Sequence, residues 1–350
     1  MNLAVFKRVL SAVLVLILSF AVSSCSGGKN ELYVYNWGDY IDTEILTEFE
    51  AQTGIKVIYD TFDSNETMYT KLKPGSASYD IAVPSDYMFE KMKNEGMLEK
   101  INFDNIPNYK YIADRFKGMH FDTDNEYFVT YMWGTVGILY NTEMVTEPVD
   151  SWDILWDEKY AGQIFMYDSQ RDALATSLKR LGFSLNTTDL NELTLAKMEL
   201  IKQKPLVQAY LGDPVKDKMI GGEGAMAVVY SGDAMFSIGE NESLAYAVPK
   251  EGTNIWMDGI VIPKGAKNKE NAEKFINFLC DPAIAAKNTE YIGFSTPNSG
   301  ALELIPEDMK NDPTYWPSEE SLANCEMFFD LGSFIEEYDK AWTEVLAASN

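Results

Sequence analysis

Aromatic and acidic side chains recur together in this chain wherever a strand is expected to end. Trp37, Asp39 and Tyr40 follow the β-rich run 32–35, and Ser85, Asp86 and Tyr87 follow the run 79–83 and Pro84. Asp168 and Asp172 come after 164–167, and Tyr230, Ser231 and Asp233 come after 225–229. Trp256 and Asp258 stand just before Gly259. In an open α/β sheet, ligands bind beyond the carboxyl ends of the strands, so these five segments would converge on one rim. The chemistry such a rim suits is that of an alkyl polyamine. Ammonium groups want carboxylates, at roughly 1.5–3 kcal/mol for each charge-assisted hydrogen bond. Methylene stretches want flat apolar walls, and an ammonium over an aromatic face adds about 0.5–2 kcal/mol. Each residue alone has a plainer reading, since a Trp or Tyr is usually core and an Asp at a strand end often caps a helix. The recurrence carries the argument.

Other chemistries find little support. The chain has a single histidine, His120, in a loop-like stretch, so a Ser-His-Asp or Cys-His arrangement has only that residue to draw on. His120 reads as a structural or surface residue. No phosphate-binding GxxxxGK[ST], dinucleotide-binding GxGxxG or zinc-binding HExxH motif is present. Zinc would need Cys and His ligands that the composition lacks, and neither a metal nor a cofactor is expected. A hydrolase working through two carboxylates stays open, because acid pairs are abundant in so acidic a chain. With 29 Lys+Arg against 54 Asp+Glu, the net charge is −25, which argues against nucleic acid and against an anionic membrane surface. It is compatible with a cationic ligand.

These residues need a scaffold, and the 350-residue length allows two ordinary domains or one large α/β unit. Strand patterns at 32–35, 56–59 and 79–83 alternate with helical patterns at 45–52 and 67–73. Residues 127–140 read as two β-rich runs broken at Gly134 and Gly137. Further strands are expected at 164–167, 225–230, 245–248 and 259–263, and helices at 173–181, 190–202, 270–279 and 331–348. Such alternation predicts βαβ units and a largely parallel sheet. Ahead of the fold, Lys7 and Arg8 precede an apolar run at 9–22, shorter than the roughly 20 residues of a spanning helix. The run ends in Val22-Ser23-Ser24-Cys25, which resembles a bacterial lipoprotein signal with cleavage before Cys25 and lipidation of its thiol. An ordinary secretory signal cut near Ser24 is the alternative. Either way export is expected, with residues 1–24 removed and 25–30 serving as a tether.

Several local motifs then align with a known family. Tyr35-Asn36-Trp37 with Tyr40, Ser64-Asn65-Glu66-Thr67, Tyr79-Asp80 through Val83-Pro84-Ser85, and Trp256-Met257-Asp258 resemble the spermidine/putrescine-binding proteins of bacterial ABC importers. So do the run 151–156, Ser-Trp-Asp-Ile-Leu-Trp, and Thr296-Pro297-Asn298. The resemblance covers essentially the whole mature chain. It implies an α/β, two-lobed type II periplasmic-binding-protein fold: each lobe a mixed, mostly parallel sheet flanked by helices, a two-crossover hinge and a ligand cleft between lobes. Lobe 1 would comprise 31–136 and 259–302, and lobe 2 would comprise 137–258 and 303–350. By the same resemblance Trp37 and Tyr40 wall the cleft, with Ser85 and Tyr87 opposite. Asp172 takes a terminal amine, and Asp258 takes the central one with Trp256 packing on the chain. The sequence departs from its relatives at Tyr230, where they carry Trp, and at Phe294, where they carry Tyr. It departs again at Ser169, where they carry an acid that Asp168 would have to replace, and near Phe328, where they carry Gln.

The implied function is capture of spermidine or putrescine by an exported, monomeric lipoprotein. It would be anchored to the outer face of the cytoplasmic membrane, or be periplasmic, and would deliver ligand to the permease of an ABC importer without catalysis. A same-fold binder for agmatine or thiamine, and a sensor presenting bound polyamine to a receptor, are the neighbouring alternatives. Cys280 and Cys325 fall in different lobes by this assignment, so a bridge would staple lobes that must move. Two reduced thiols are expected.

Overall fold

A computed structural model describes residues 30–73 and 79–349. The expected signal segment, Cys25 and all of the expected tether but its last residue lie outside the described residues. The chain opens with β1 (Glu31–Trp37), β2 (Lys56–Phe62) and the short β3 (Ile81–Ala82), which form a parallel sheet in the order β2-β1-β3. The connection from β1 to β2 is the helix Thr43–Thr53, begun by Asp42, whose carboxylate accepts from Glu44 N. Gly54, in the left-handed region at φ 69°, ends that helix and returns its N–H to the Glu50 carbonyl. Its buried residues Ile45 and Phe49 lie on one helical face, and Phe49 meets the Phe275 ring at 4.9 Å. The third expected strand shrinks to two residues, because Val83 and Pro84 leave the ladder to begin the Asp86–Asn94 helix.

The second sheet is mixed. β4 (Leu98–Glu99) precedes the long β5 (Val129–Asn141), followed by β6 (Ile164–Tyr167), β7 (Val207–Leu211), β8 (Met226–Tyr230), β9 (Leu244–Ala247), β10 (Ile255–Ile260) and β11 (Ile262–Pro263). The strand order is β10-β5-β8-β6-β7, with β9 also on β5 and β11 paired to β4. β8, β6 and β7 run parallel, whereas β10, β8 and β9 are each antiparallel to β5. The expected break at Gly134 and Gly137 does not occur, for β5 runs unbroken through both. A Cβ on Gly134 would fall 2.6 Å from the Trp256 ring and 2.5 Å from Ser231 Oγ. One on Gly137 would fall 2.5 Å from the Tyr246 ring and the Ala247 carbonyl. The glycines admit close neighbours to a continuous strand; they do not end it.

β5 changes partner along its length. Val129–Thr135 pair with β10, and Val136–Asn141 pair with β8 and β9. A strand expected at 259–263 instead begins at Ile255, with a register shift between Asp258 and Gly259. Asp258 therefore lies inside a strand and not before one. Val261, beyond that shift, bridges back to Ala82, and Asp258, just before it, bridges to Ser85. The first sheet and β10 thus meet at the residues singled out for chemistry.

Candidate functional site

Tyr40 and Asp258 form the centre. The Tyr40 hydroxyl donates to Asp258 Oδ2 at 2.7 Å, and Asp258 is only 7% exposed. Its other oxygen, Oδ1, is buried without a hydrogen-bond partner. Burial pushes the Asp258 pKa up to about 6, against the opposing effect of the Ser85 and Tyr40 hydroxyls. Tyr40 is held from behind: its carbonyl accepts from Tyr131 Oη at 2.7 Å, and Tyr131 Oη accepts from Asn288 Nδ2 at 2.6 Å. Asn288 Oδ1 in turn accepts from Asp42 N at 3.0 Å. The loop after β1 is thereby fixed to the Pro282–Ile292 helix.

Aromatic rings surround this pair. Phe294 meets Tyr40 edge-on at 5.6 Å and Trp256 at 5.1 Å, and Trp256 meets Tyr230 at 5.9 Å. Trp256 Nε1 is buried and unpartnered. Asp172, in the first turn of the Gln170–Arg180 helix, accepts from Tyr230 Oη at 2.9 Å and Ser169 Oγ at 2.7 Å on one oxygen. Asn254 Nδ2 reaches the other at 3.4 Å. Burial raises the Asp172 pKa, and these donors together with the nearby Arg171 charge oppose the rise. Ser169 caps this helix and supplies Asp172 with a donor.

The remaining expected residues divide by environment. Trp37 is half-buried, donating from Nε1 to the Val83 carbonyl at 2.9 Å and packing on Phe62 at 4.5 Å. Ser85 and Tyr87 are bound together by Asn65, whose Nδ2 donates to Ser85 Oγ at 3.0 Å and to Tyr87 Oη at 3.1 Å. Asp86 is 1% exposed and accepts from the backbone N–H groups of Tyr87 at 2.7 Å and Met257 at 3.3 Å. Burial raises its pKa strongly, with the Asp258 charge adding to the rise. It ties the Asp86–Asn94 helix to β10. Asp233 is buried and pairs with Lys216, Nζ to Oδ1 at 3.2 Å. Asp39 and Asp168 are exposed, Asp39 with the positive φ of 49°. His120 is also exposed, its ring 4.3 Å from Phe329.

Asn254, Lys216 and Arg171 went unnoticed as site residues, and Asn65 appeared only within a motif. Arg171 is buried, its guanidinium 4.2 Å from the Phe328 ring and donating to Asn186 Oδ1 at 2.9 Å. Its place beside Asp172 was the one available signal. Cys280 and Cys325 are both free thiols, as expected. Among the described residues no group of three or more His, Cys, Asp or Glu side chains is placed to hold a metal ion.

Two α/β layers that meet around a buried, acidic and aromatic-walled centre define a solute-binding architecture. Residues 44–317 match the family described as bacterial extracellular solute-binding protein, and the chain belongs to that family. It is 38% identical to the spermidine/putrescine-binding periplasmic protein of Escherichia coli K12 over 321 residues, covering 91% of this chain and 92% of that protein. Among solved structures it is similar to a putative spermidine/putrescine ABC transporter protein from Listeria monocytogenes, with 44% identity and a TM-score of 0.87 over 91% of this chain and 100% of that one. It is likewise similar to the spermidine/putrescine substrate-binding protein PotD of Streptococcus pneumoniae, with 42% identity and a TM-score of 0.83, covering 90% and 98% of the respective chains. The fold is the two-lobed periplasmic-binding-protein fold.

Proposed function

We propose that this protein captures a polyamine, spermidine or putrescine, between its lobes and delivers it to an ABC importer without acting on it chemically. The observation that carries this reading is the buried Asp258 carboxylate, whose Oδ1 makes no hydrogen bond and on which only the Ser85 and Tyr40 hydroxyls act, with Tyr40 packed on the Phe294 ring that also meets Trp256. Leaving such an acceptor unpaired is costly, and an ammonium group is a partner that satisfies both its charge and its lone pairs. Asp172, with Tyr230 beside it, supplies a second carboxylate for a terminal amine. Trp37, Tyr40, Trp256 and Phe294 supply apolar walls for methylene groups, and Ser85 and Tyr87 supply hydroxyls. The names of the relatives and of the similar structures support the same ligand class.

In this reading the chain crosses between lobes near residues 134–137 in β5, near 258 in β10 and again near 302. The Asp86–Asn94 helix meets β10 through the Asp86–Met257 contact. Export, with Cys25 as a lipid anchor outside the cytoplasmic membrane, fits the Val22–Cys25 pattern, and no helix among the described residues is long and apolar enough to cross a membrane. Monomeric action suits a carrier that docks on a permease. Calorimetric titration of the mature chain with putrescine, spermidine, agmatine and thiamine tests the reading. Saturable binding of the first two, with agmatine and thiamine weaker, is expected. No binding of either polyamine at millimolar concentration would overturn it.

A further inference from the structure

Lys216 is a cation that the polyamine reading does not use, yet it occupies one of the carboxylates placed at the site. It lies on the short helix Val215–Ile220, half-buried, with Nζ 3.2 Å from Asp233 Oδ1. Its pKa is raised because the carboxylates of Asp233, Asp213 and Asp39 outweigh its burial. Asp39 belongs to the loop after β1, so the ammonium answers to acids from both layers of the molecule. Asp233 in turn is felt at Tyr40, whose hydroxyl its charge helps to keep protonated. Asp233 directly follows Gly232, where a Cβ would fall 1.8 Å from the Phe294 ring. Phe294 therefore packs on the Tyr40 and Trp256 rings and also on the first turn of the Ser231–Glu240 helix, which carries Asp233.

We propose that Lys216 limits ligand length: its tethered ammonium fills the carboxylate site beyond Phe294, and a ligand long enough to place an amine there must displace it. A diamine satisfied within the Asp258–Asp172 chamber ends before Asp233 and leaves the ion pair intact. A tetraamine brings a further ammonium to the same acids and competes with one held at high effective concentration by its own chain. The chain thus carries an internal mimic of the ligand's terminal group, and discrimination arises from displacement in place of a clash.

This inference rests on the polyamine reading, and affinities for putrescine, spermidine and spermine in the wild type, Lys216→Met and Lys216→Arg test it. Methionine keeps most of the side-chain length and removes the charge. The spermine-to-putrescine affinity ratio is expected to rise about tenfold in Lys216→Met, the size of one charge-assisted hydrogen bond at a partly solvated site. In Lys216→Arg, which keeps the cation, the ratio should stay within about threefold of wild type. Thermal melts establish that both variants are folded, and if Lys216→Met is not, Lys216→Gln replaces it with the same expectation. An unchanged ratio in the neutral variant, or an equal rise in Lys216→Arg, overturns the inference while leaving the polyamine reading intact. Failure of the wild type to bind any of the three amines overturns both.

Discussion

Replacing Asp258 by Asn should make the protein more stable and a worse binder at once. The substitution keeps shape and keeps an oxygen for the Tyr40 hydroxyl, which now donates to Asp258 Oδ2 at 2.7 Å. It removes a charge buried to 7% exposure. The Asp258 pKa, up to about 6 from an ordinary 3.8, corresponds to about 3 kcal/mol of burial cost to the ionised form, at about 1.36 kcal/mol for each tenfold in proton affinity. The sign follows from linkage. The folded state holds this proton at higher pH than the unfolded state, so stability falls as pH rises from about 4 to about 6 and stays lowered above that. Asp258→Asn should therefore raise the stability of the ligand-free protein at pH 7 by up to about 3 kcal/mol, and by progressively less toward pH 4. Affinity moves the other way. A bound ammonium loses its counter-charge, and breaking a buried pair from one side costs about 3–5 kcal/mol, at least about a hundredfold in Kd. Asp39→Asn, at an exposed position, should cost less than about 1 kcal/mol. Denaturant melts and calorimetry with spermidine read both quantities. Affinity losses that are small and equal in the two variants, or a less stable Asp258→Asn protein at pH 7, would refute the reasoning.

Three further predictions concern the same features. Polyamine binding should weaken as pH falls from 7 through about 6 and be accompanied by proton release, because Asp258 titrates near 6, the Asp172 and Asp86 pKa values are also raised, and a bound ammonium favours the ionised carboxylates; calorimetry in buffers of different ionisation enthalpy counts those protons, and an affinity flat from pH 7.5 to 5 would contradict it. Gly232→Ala places a methyl within 1.8 Å of the Phe294 ring and should lower spermidine affinity at least about tenfold, with Phe294→Leu in the same chain recovering most of the loss; a double variant no better than Gly232→Ala would point to some other fault. Cys25→Ala should abolish metabolic fatty-acid labelling and release the chain from the membrane fraction or stall its processing, whereas labelling that persists would leave an ordinary secretory signal as the reading.

The expected signal for export, the α/β alternation and the pairing of rings with carboxylates at successive strand ends are written in short stretches of chain. A 3.6-residue or two-residue hydrophobic period and a motif such as Trp256-Met257-Asp258 are local, so sequence alone reveals them. The resemblance to polyamine binders rests on those same local motifs. Which carboxylate is buried, which is already paired and which faces water depends on residues far away in sequence. Tyr40 and Asp258 are 218 positions apart, and Asn65 clamps Ser85 and Tyr87 from 20 and 22 positions away. Asp233, Asp258 and Asp39 look alike in sequence. Folding neutralises the first with Lys216, buries the second with an oxygen unpaired, and leaves the third exposed. The glycines of β5 mislead for the same reason: their meaning lies in Trp256 and Tyr246, which the fold presses against them. Residue types and their order determined the kind of chemistry this protein can do. Burial and long-range pairing, which set the free energy of each charge, were decided only by the tertiary structure.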